Sequence, residues 1–164
     1  MRLFVALPVP DGIRTHLSLL CGGLPGMKWV PPESFHISLR FIGEVDGGQF
    51  DDIDAALTGV HAPRFSVALA GVGHFGNDRV RVLWAGVAKE PALQHLHDKV
   101  ESAIVRAGLP PDGQKYIPHV TLARPKTPPP LGKLQTFLAH NSLFKTEPFE
   151  VTHFTLYSSF LGST

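Results

Sequence analysis

A single cysteine, Cys21, is all the chain contains, so no intrachain disulfide braces the fold and no thiolate-rich metal centre can form. Long apolar runs are missing as well. Nothing approaches the ~18 consecutive apolar residues of a membrane-spanning helix, and the opening Met1–Pro10 has too short an apolar run, interrupted at Pro8, for a secretory signal. Charge is scarce. Charged residues make up 18% of the 164 and hydrophobic residues 43%, which excludes a disordered, self-repelling chain. Neither sign dominates: 15 Lys and Arg against 14 Asp and Glu leave +1, which excludes a nucleic-acid binder held by bulk charge alone. These absences lead us to expect a cytoplasmic protein with no membrane partner; we also expect a monomer.

Breakers are plentiful, with 16 Gly and 15 Pro, and they cut the chain into short elements. Arg2–Leu7 reads as a strand, followed by a helix with Ile13, Leu17 and Leu20 on one face. Lys28–Val30 is extended, and Phe35–Ile42 is a strand ending at Gly43. Glu44, Asp46, Asp51, Asp52 and Asp54 fall in one stretch without a base, on a short helix carrying Phe50, Ile53 and Leu57. The rest of the chain is therefore net basic, which leaves room for a local cationic cleft. Phe65–Leu69 and Val80–Trp84 read as antiparallel strands about a Gly73–Asp78 turn. A helix follows from Glu90 to Ala107, stopped by Gly108. Tyr116–Ala123 is extended, Leu131, Leu134 and Leu138 mark a weaker helix, and Phe149–Tyr157 reads as the last strand.

Two tetrapeptides share one pattern: His36-Ile37-Ser38-Leu39 and His119-Val120-Thr121-Leu122. Residues i and i+2 of a strand point to the same side, so each copy presents an imidazole beside a hydroxyl while its apolar residues face the core. The copies lie 83 residues apart, about half the chain, as expected if two similar lobes each give one strand to a shared cleft. The pattern alone is weak, because His-x-Ser/Thr occurs five times, at His16, His36, His119, His140 and His153. His16 lies in a helix, where i and i+2 diverge, and His140 lacks the apolar flank. His153-Phe154-Thr155-Leu156 is the competitor.

The surroundings separate them. Lys28 to Val45, Pro118-His119-Val120-Thr121-Leu122-Ala123-Arg124, the opening Arg2-Leu3-Phe4-Val5-Ala6-Leu7, the run Val80–Val87 and the ending Leu156-Tyr157-Ser158-Ser159 together resemble the two-histidine (2H) phosphoesterases. Within them the resemblance is to the RNA 2′,3′-cyclic phosphodiesterases, historically called 2′-5′ RNA ligases. It spans nearly the whole chain, with Ser38 where Thr is commoner. It implies an α+β, bilobal, pseudo-two-fold fold, two antiparallel sheets lining a central cleft with helices outside, built as one domain over residues 1–164. It also implies hydrolysis of 2′,3′-cyclic phosphate ends of RNA, or of small cyclic nucleotides, to 2′-phosphomonoesters without metal or cofactor, and admits the reverse joining of 2′,5′-linked ends. His36 is then the proton donor, His119 the proton acceptor, and Ser38 and Thr121 the phosphate-binding hydroxyls.

The chemistry suits the residues, since ring opening needs one proton removed from water and one delivered to the leaving oxygen, and imidazole can hold either state near neutrality. Arg40, at i+4 from His36, and Arg124, just past the second motif, are either phosphate ligands or ordinary surface and salt-bridged arginines. Phe4, Phe41, Trp84 and Tyr116 either stack a base or pack in the core. His95 and His97 diverge on a helix and make no metal pair, the Gly71–Gly76 run lacks a phosphate-loop pattern and reads as a turn, and Asp51–Asp54 is a solvated helix face. A non-catalytic nucleotide- or RNA-binding module on the same cleft is the rival reading.

Overall fold

The computed structural model describes residues 1–76 and 79–159. Its elements run β1 (Arg2–Pro8), α1 (Asp11–Ser18), β2 (Met27–Trp29), a 3₁₀ turn at Pro32–Ser34, β3 (His36–Glu44), α2 (Gly47–Thr58), β4 (Phe65–Val67), β5 (Leu69–Phe75), β6 (Val82–Val87), α3 (Pro91–Arg106), β7 (His119–Pro125), α4 (Leu131–His140), β8 (Phe149–Val151) and β9 (Thr155–Ser159). Local chemistry sets several ends. The Asp46 carboxylate accepts from the Gln49 amide while Gln49 accepts from the Asp46 N–H, a reciprocal cap for α2. Pro91 opens α3, and Gly108, at φ +105°, carries the chain past its end in a conformation other residues avoid.

One sheet runs in the order β5-β6-β7-β3-β1-β9, with β2 alongside β7, and a two-stranded sheet pairs β4 with β8. Every pairing is antiparallel. The order is symmetric about the β7/β3 seam. The first half, β1-α1-β3-α2-β4-β5, repeats as β6-α3-β7-α4-β8-β9. Equivalent elements begin at 2 and 82, 36 and 119, 47 and 131, and 65 and 149. Each half lends its last strand to the other, since β5 pairs with β6 and β9 with β1. The bilobal, pseudo-two-fold arrangement implied by the resemblance is therefore present. The two lobes' strands meet at the central seam through one residue pair, Ile37 with Val120.

Leu3, Val5, Leu7, Ile37, Leu39, Val120 and Leu122 lie on the buried face beneath Leu93, Leu96, Val100 and Ile104 of α3. A smaller cluster of Leu83, Ala123, Leu134 and Phe137 seats α4. Burying these side chains at about 1.5–3 kcal/mol each is what holds the helices to one face. The opposite face is left for chemistry.

Three expectations are corrected. Gly71–Gly76 does not make a turn: its residues through Phe75 belong to β5. A Cβ on Gly73 would lie 2.5 Å from the Trp84 ring, so the glycine is there because an indole lies across the strand. Asn77 and Asp78, the tip of the expected turn, lie outside the described residues. Phe65–Leu69 is not one strand partnered by Val80–Trp84, because β4 pairs with β8 and only β5 pairs with β6. Phe149–Tyr157 is two strands, broken over 152–154, which places His153 in a connection.

Candidate active site

The register at the seam assembles the two motifs. Ile37 opposes Val120 in an antiparallel pair, so continuing one step each way sets His36 across from Thr121 and Ser38 across from His119. Each imidazole thus faces the other motif's hydroxyl. Ile37 and Val120 are fully buried, so all four polar side chains project from the opposite side of the sheet.

His119 Nδ1 lies 2.7 Å from the Ile117 carbonyl oxygen. A carbonyl only accepts, so Nδ1 carries the proton and Nε2 is left with its lone pair. Burial holds the His119 pKa below the ordinary imidazole value, a hydrogen bond to the Ile117 carbonyl works against this, and the Arg124 charge adds to the depression. His36 is likewise lowered by burial, with a backbone hydrogen bond to Ser34 opposing and the facing His119 reinforcing. Buried titrating groups shifted by a neighbouring charge cluster at functional sites.

A cavity of about 570 Å³ opens beside His119 and Ser38, walled also by Arg40, Phe41, Tyr116, Ile117 and Arg124, while His36 and Thr121 lie outside its lining. Arg124 is exposed and borders it. Phe41, 54% exposed, stands at the rim with the Arg2 guanidinium carbon 5.2 Å from its ring centre, leaving an aromatic face to solvent. A larger cavity, about 750 Å³, lies between the end of α1 and α4, away from both motifs.

Arg40 departs from expectation. Val5 pairs with Arg40 but Ala6 pairs with Ser38, so β3 carries an extra residue between them. That bulge reverses the alternation, and Leu39 and Arg40 are both buried. Arg40 donates from Nε and Nη2 to Glu101 at 2.7 and 3.3 Å, from Nη1 to the Phe41 carbonyl at 2.8 Å and from Nη2 to the Pro110 carbonyl at 2.6 Å. Four of its five donors are used, and its role is to tie β3 to α3.

Tyr116 is also structural. Its hydroxyl donates to the Ser38 carbonyl at 2.8 Å and its ring stacks on His97 at 4.0 Å, while burial pushes its pKa far up. Phe4 packs against His36 rather than standing open. Trp84 lies 6.1 Å from His119 with its indole N–H buried and unpartnered among the described residues. His153 is exposed and hydrogen-bonded to Thr152, away from the pair.

Sequence reasoning missed Arg81 and Lys115 in the cavity wall, and Phe75 and Tyr157 beside the imidazoles. Only an aromatic at the end of a strand signalled the last two. No group of three metal-ligating side chains occurs among the described residues, and no helix there is long and apolar enough to cross a membrane.

A duplicated fold whose two central strands set His-x-Ser/Thr motifs against each other is that of the two-histidine phosphoesterases. The model of the 2′-5′ RNA ligase superfamily matches residues 14–160, and the chain belongs to that family. Relatives named RNA 2′,3′-cyclic phosphodiesterase include one from Aeropyrum pernix, 42% identical over 69% of this chain and 65% of its own length. Another, from Thermotoga maritima, is 30% identical over 100% of this chain and 89% of its own. The Geobacillus stearothermophilus relative is 36% identical over 74% of this chain but only 41% of its own length, so the chain spans less than two thirds of the first and the last of these. Among solved structures, a Thermus thermophilus protein superposes at TM-score 0.79 with 26% identity, covering 99% of this chain and 90% of that one. Escherichia coli LigT complexed with 3′-AMP gives 0.76 with 27% identity, covering 99% and 91%.

Proposed function

We propose that the protein hydrolyses the 2′,3′-cyclic phosphate end of RNA to a 2′-phosphomonoester as a single domain of two lobes, by acid–base chemistry between two histidines and without metal. The observation that carries this reading is the Ile37–Val120 seam, which sets two imidazoles and two hydroxyls on one face. His119 Nε2 takes a proton from water as its oxygen bonds to phosphorus; the P–O3′ bond breaks and His36 delivers its proton to O3′. Ser38 and Thr121 donate to the non-bridging oxygens, holding phosphorus between the imidazoles. Arg124, at the cavity edge, neutralises charge on the phosphate, and the exposed face of Phe41 stacks the terminal base. Support for a nucleotide ligand comes from the similar LigT, whose structure is complexed with 3′-AMP. Action as a cytoplasmic monomer, and reversal to join 2′,5′ ends, belong to the same reading.

The test is incubation of a short RNA bearing a 2′,3′-cyclic end, in EDTA, with the product isomer identified. A 2′-phosphate is expected; a 3′-phosphate would reverse the leaving group. Loss of activity restored by a divalent ion would remove the two-imidazole mechanism. Binding with no turnover would leave the non-catalytic module.

A further inference from the structure

The rings touching each imidazole come from the two strands outside it; Phe4 and Trp84 hold equivalent places in the duplicated sheet, while Phe75 lies two residues past Gly73, the equivalent of Tyr157. On one side Phe4 (β1) and Tyr157 (β9) lie against His36, with centroids at 4.9 and 5.7 Å and planes inclined by 27° and 23°. Phe4 and Tyr157 themselves stack at 5.0 Å and 12°. On the other side Phe75 (β5) and Trp84 (β6) meet His119 at 5.0 and 6.1 Å, but at 88° and 45°. Between Phe4 and Pro8 on β1, Ala6 pairs with Ser38.

The difference in attitude has a chemical consequence. An aromatic face is electron-rich, and a cation within ~6 Å of its centre is stabilised. His36 and Tyr157 both stack against the Phe4 ring, their centroids 4.9 and 5.0 Å from its centre, whereas His119 meets Phe75 at a right angle, Trp84 tilted, and the Arg124 charge. We propose that Phe4 and Tyr157 are positioning residues that fix the plane of His36 and stabilise its imidazolium, so that the rings divide the acid and base roles between two otherwise equivalent histidines. This rests on the proposed function for the roles, though not for the effect on His36 itself. The groups facing His36 are His119 and the Thr121 hydroxyl from β7, Tyr157 from β9 and the Ser34 backbone of the 3₁₀ turn; from β1 come only Phe4, Ala6 and Pro8, none of them charged. Apart from the Ser34 backbone bond, the ring faces are what oppose the burial and His119 repulsion acting on the imidazolium.

The sign of the change on substitution separates this role from simple packing. Phe4→Leu keeps apolar volume but removes a ring face, which lowers the His36 pKa; mere relief of burial would raise it. NMR titration of the imidazole Cε1–H signals should show His36 falling by roughly 0.5–1 unit in Phe4→Leu and in Tyr157→Leu, with His119 unmoved, and Tyr157→Phe matching wild type. The alkaline limb of the pH–rate profile should shift down by the same amount, the acid limb staying in place. An unchanged or raised His36 pKa in a folded Phe4→Leu, or equal shifts in both histidines, would overturn the proposal. Should the protein open no cyclic phosphate, the proposed function fails while the titration still decides the role of the rings.

Discussion

Two histidines facing each other's hydroxyls define what single substitutions should do. His36→Ala and His119→Ala should each lower kcat by about 10²-fold or more with little change in substrate binding, and the double variant should be scarcely worse than either, since the groups act in one displacement. His153→Ala, in the connection before β9, should keep near-normal turnover. Steady-state and binding measurements on the purified variants check all four. Both imidazoles are held below the ordinary value of 6.5, so the kcat/KM bell should be centred on the acid side of that value. Stability follows with a definite sign. A histidine harder to protonate folded than unfolded costs nothing above 6.5, and its contribution is lost as pH falls through the depressed folded values. Melting curves should therefore drop in that window, and drop less in the His36→Ala and His119→Ala variants.

Strand parity decides which parts of this arrangement the sequence discloses. The i, i+2 rule puts His36 with Ser38 and His119 with Thr121, and no more is needed to see two half-sites. Which strand lies beside which is not written in a period of two, so the crossing of each imidazole to the other hydroxyl stays hidden. Arg40 is misread because one bulged residue reverses the alternation, and nothing in Leu39 or Arg40 marks a bulge. Glycines are poor strand formers, so Gly71–Gly76 reads as a turn although Gly73 is required by the Trp84 indole. Gly73→Ala should cost about 1–3 kcal/mol in denaturant unfolding and lower kcat as Trp84 is driven toward His119. Arg40→Ala should cost about 3 kcal/mol, as removing one partner of a buried ion pair does. A raised KM at unchanged stability would instead restore Arg40 to the phosphate. Burial raises the Glu101 pKa but the bonds from Arg40 and the Asp112 N–H bring it below its usual 4.5, so this clamp contributes above that pH and is lost as pH falls through the lower folded value.

Neither half of the duplicated chain completes its own sheet: each keeps an inner pair, β1 with β3 or β6 with β7, and takes its outer strand from the other. Chains covering 1–78 and 79–164 should each lack a cooperative thermal transition, and mixing them should restore one together with activity; calorimetry on each fragment alone and on the mixture checks this. Independent melting of either fragment would mean the exchanged strands are dispensable. The exchange also sets the order of events during synthesis. β1 leaves the ribosome ahead of the other strands and β9 after them, yet they pair from Arg2 with Ser159 to Ala6 with Thr155. Contacts of such long sequence separation are slow to form and leave edges unpaired meanwhile. The edge of β1 stays bare until β9 has emerged, and Tyr157 reaches His36 only then. A nascent chain stalled short of β9 would expose a sticky edge beside an incomplete centre, so the protein acquires its chemistry only once both ends of the sheet have been made.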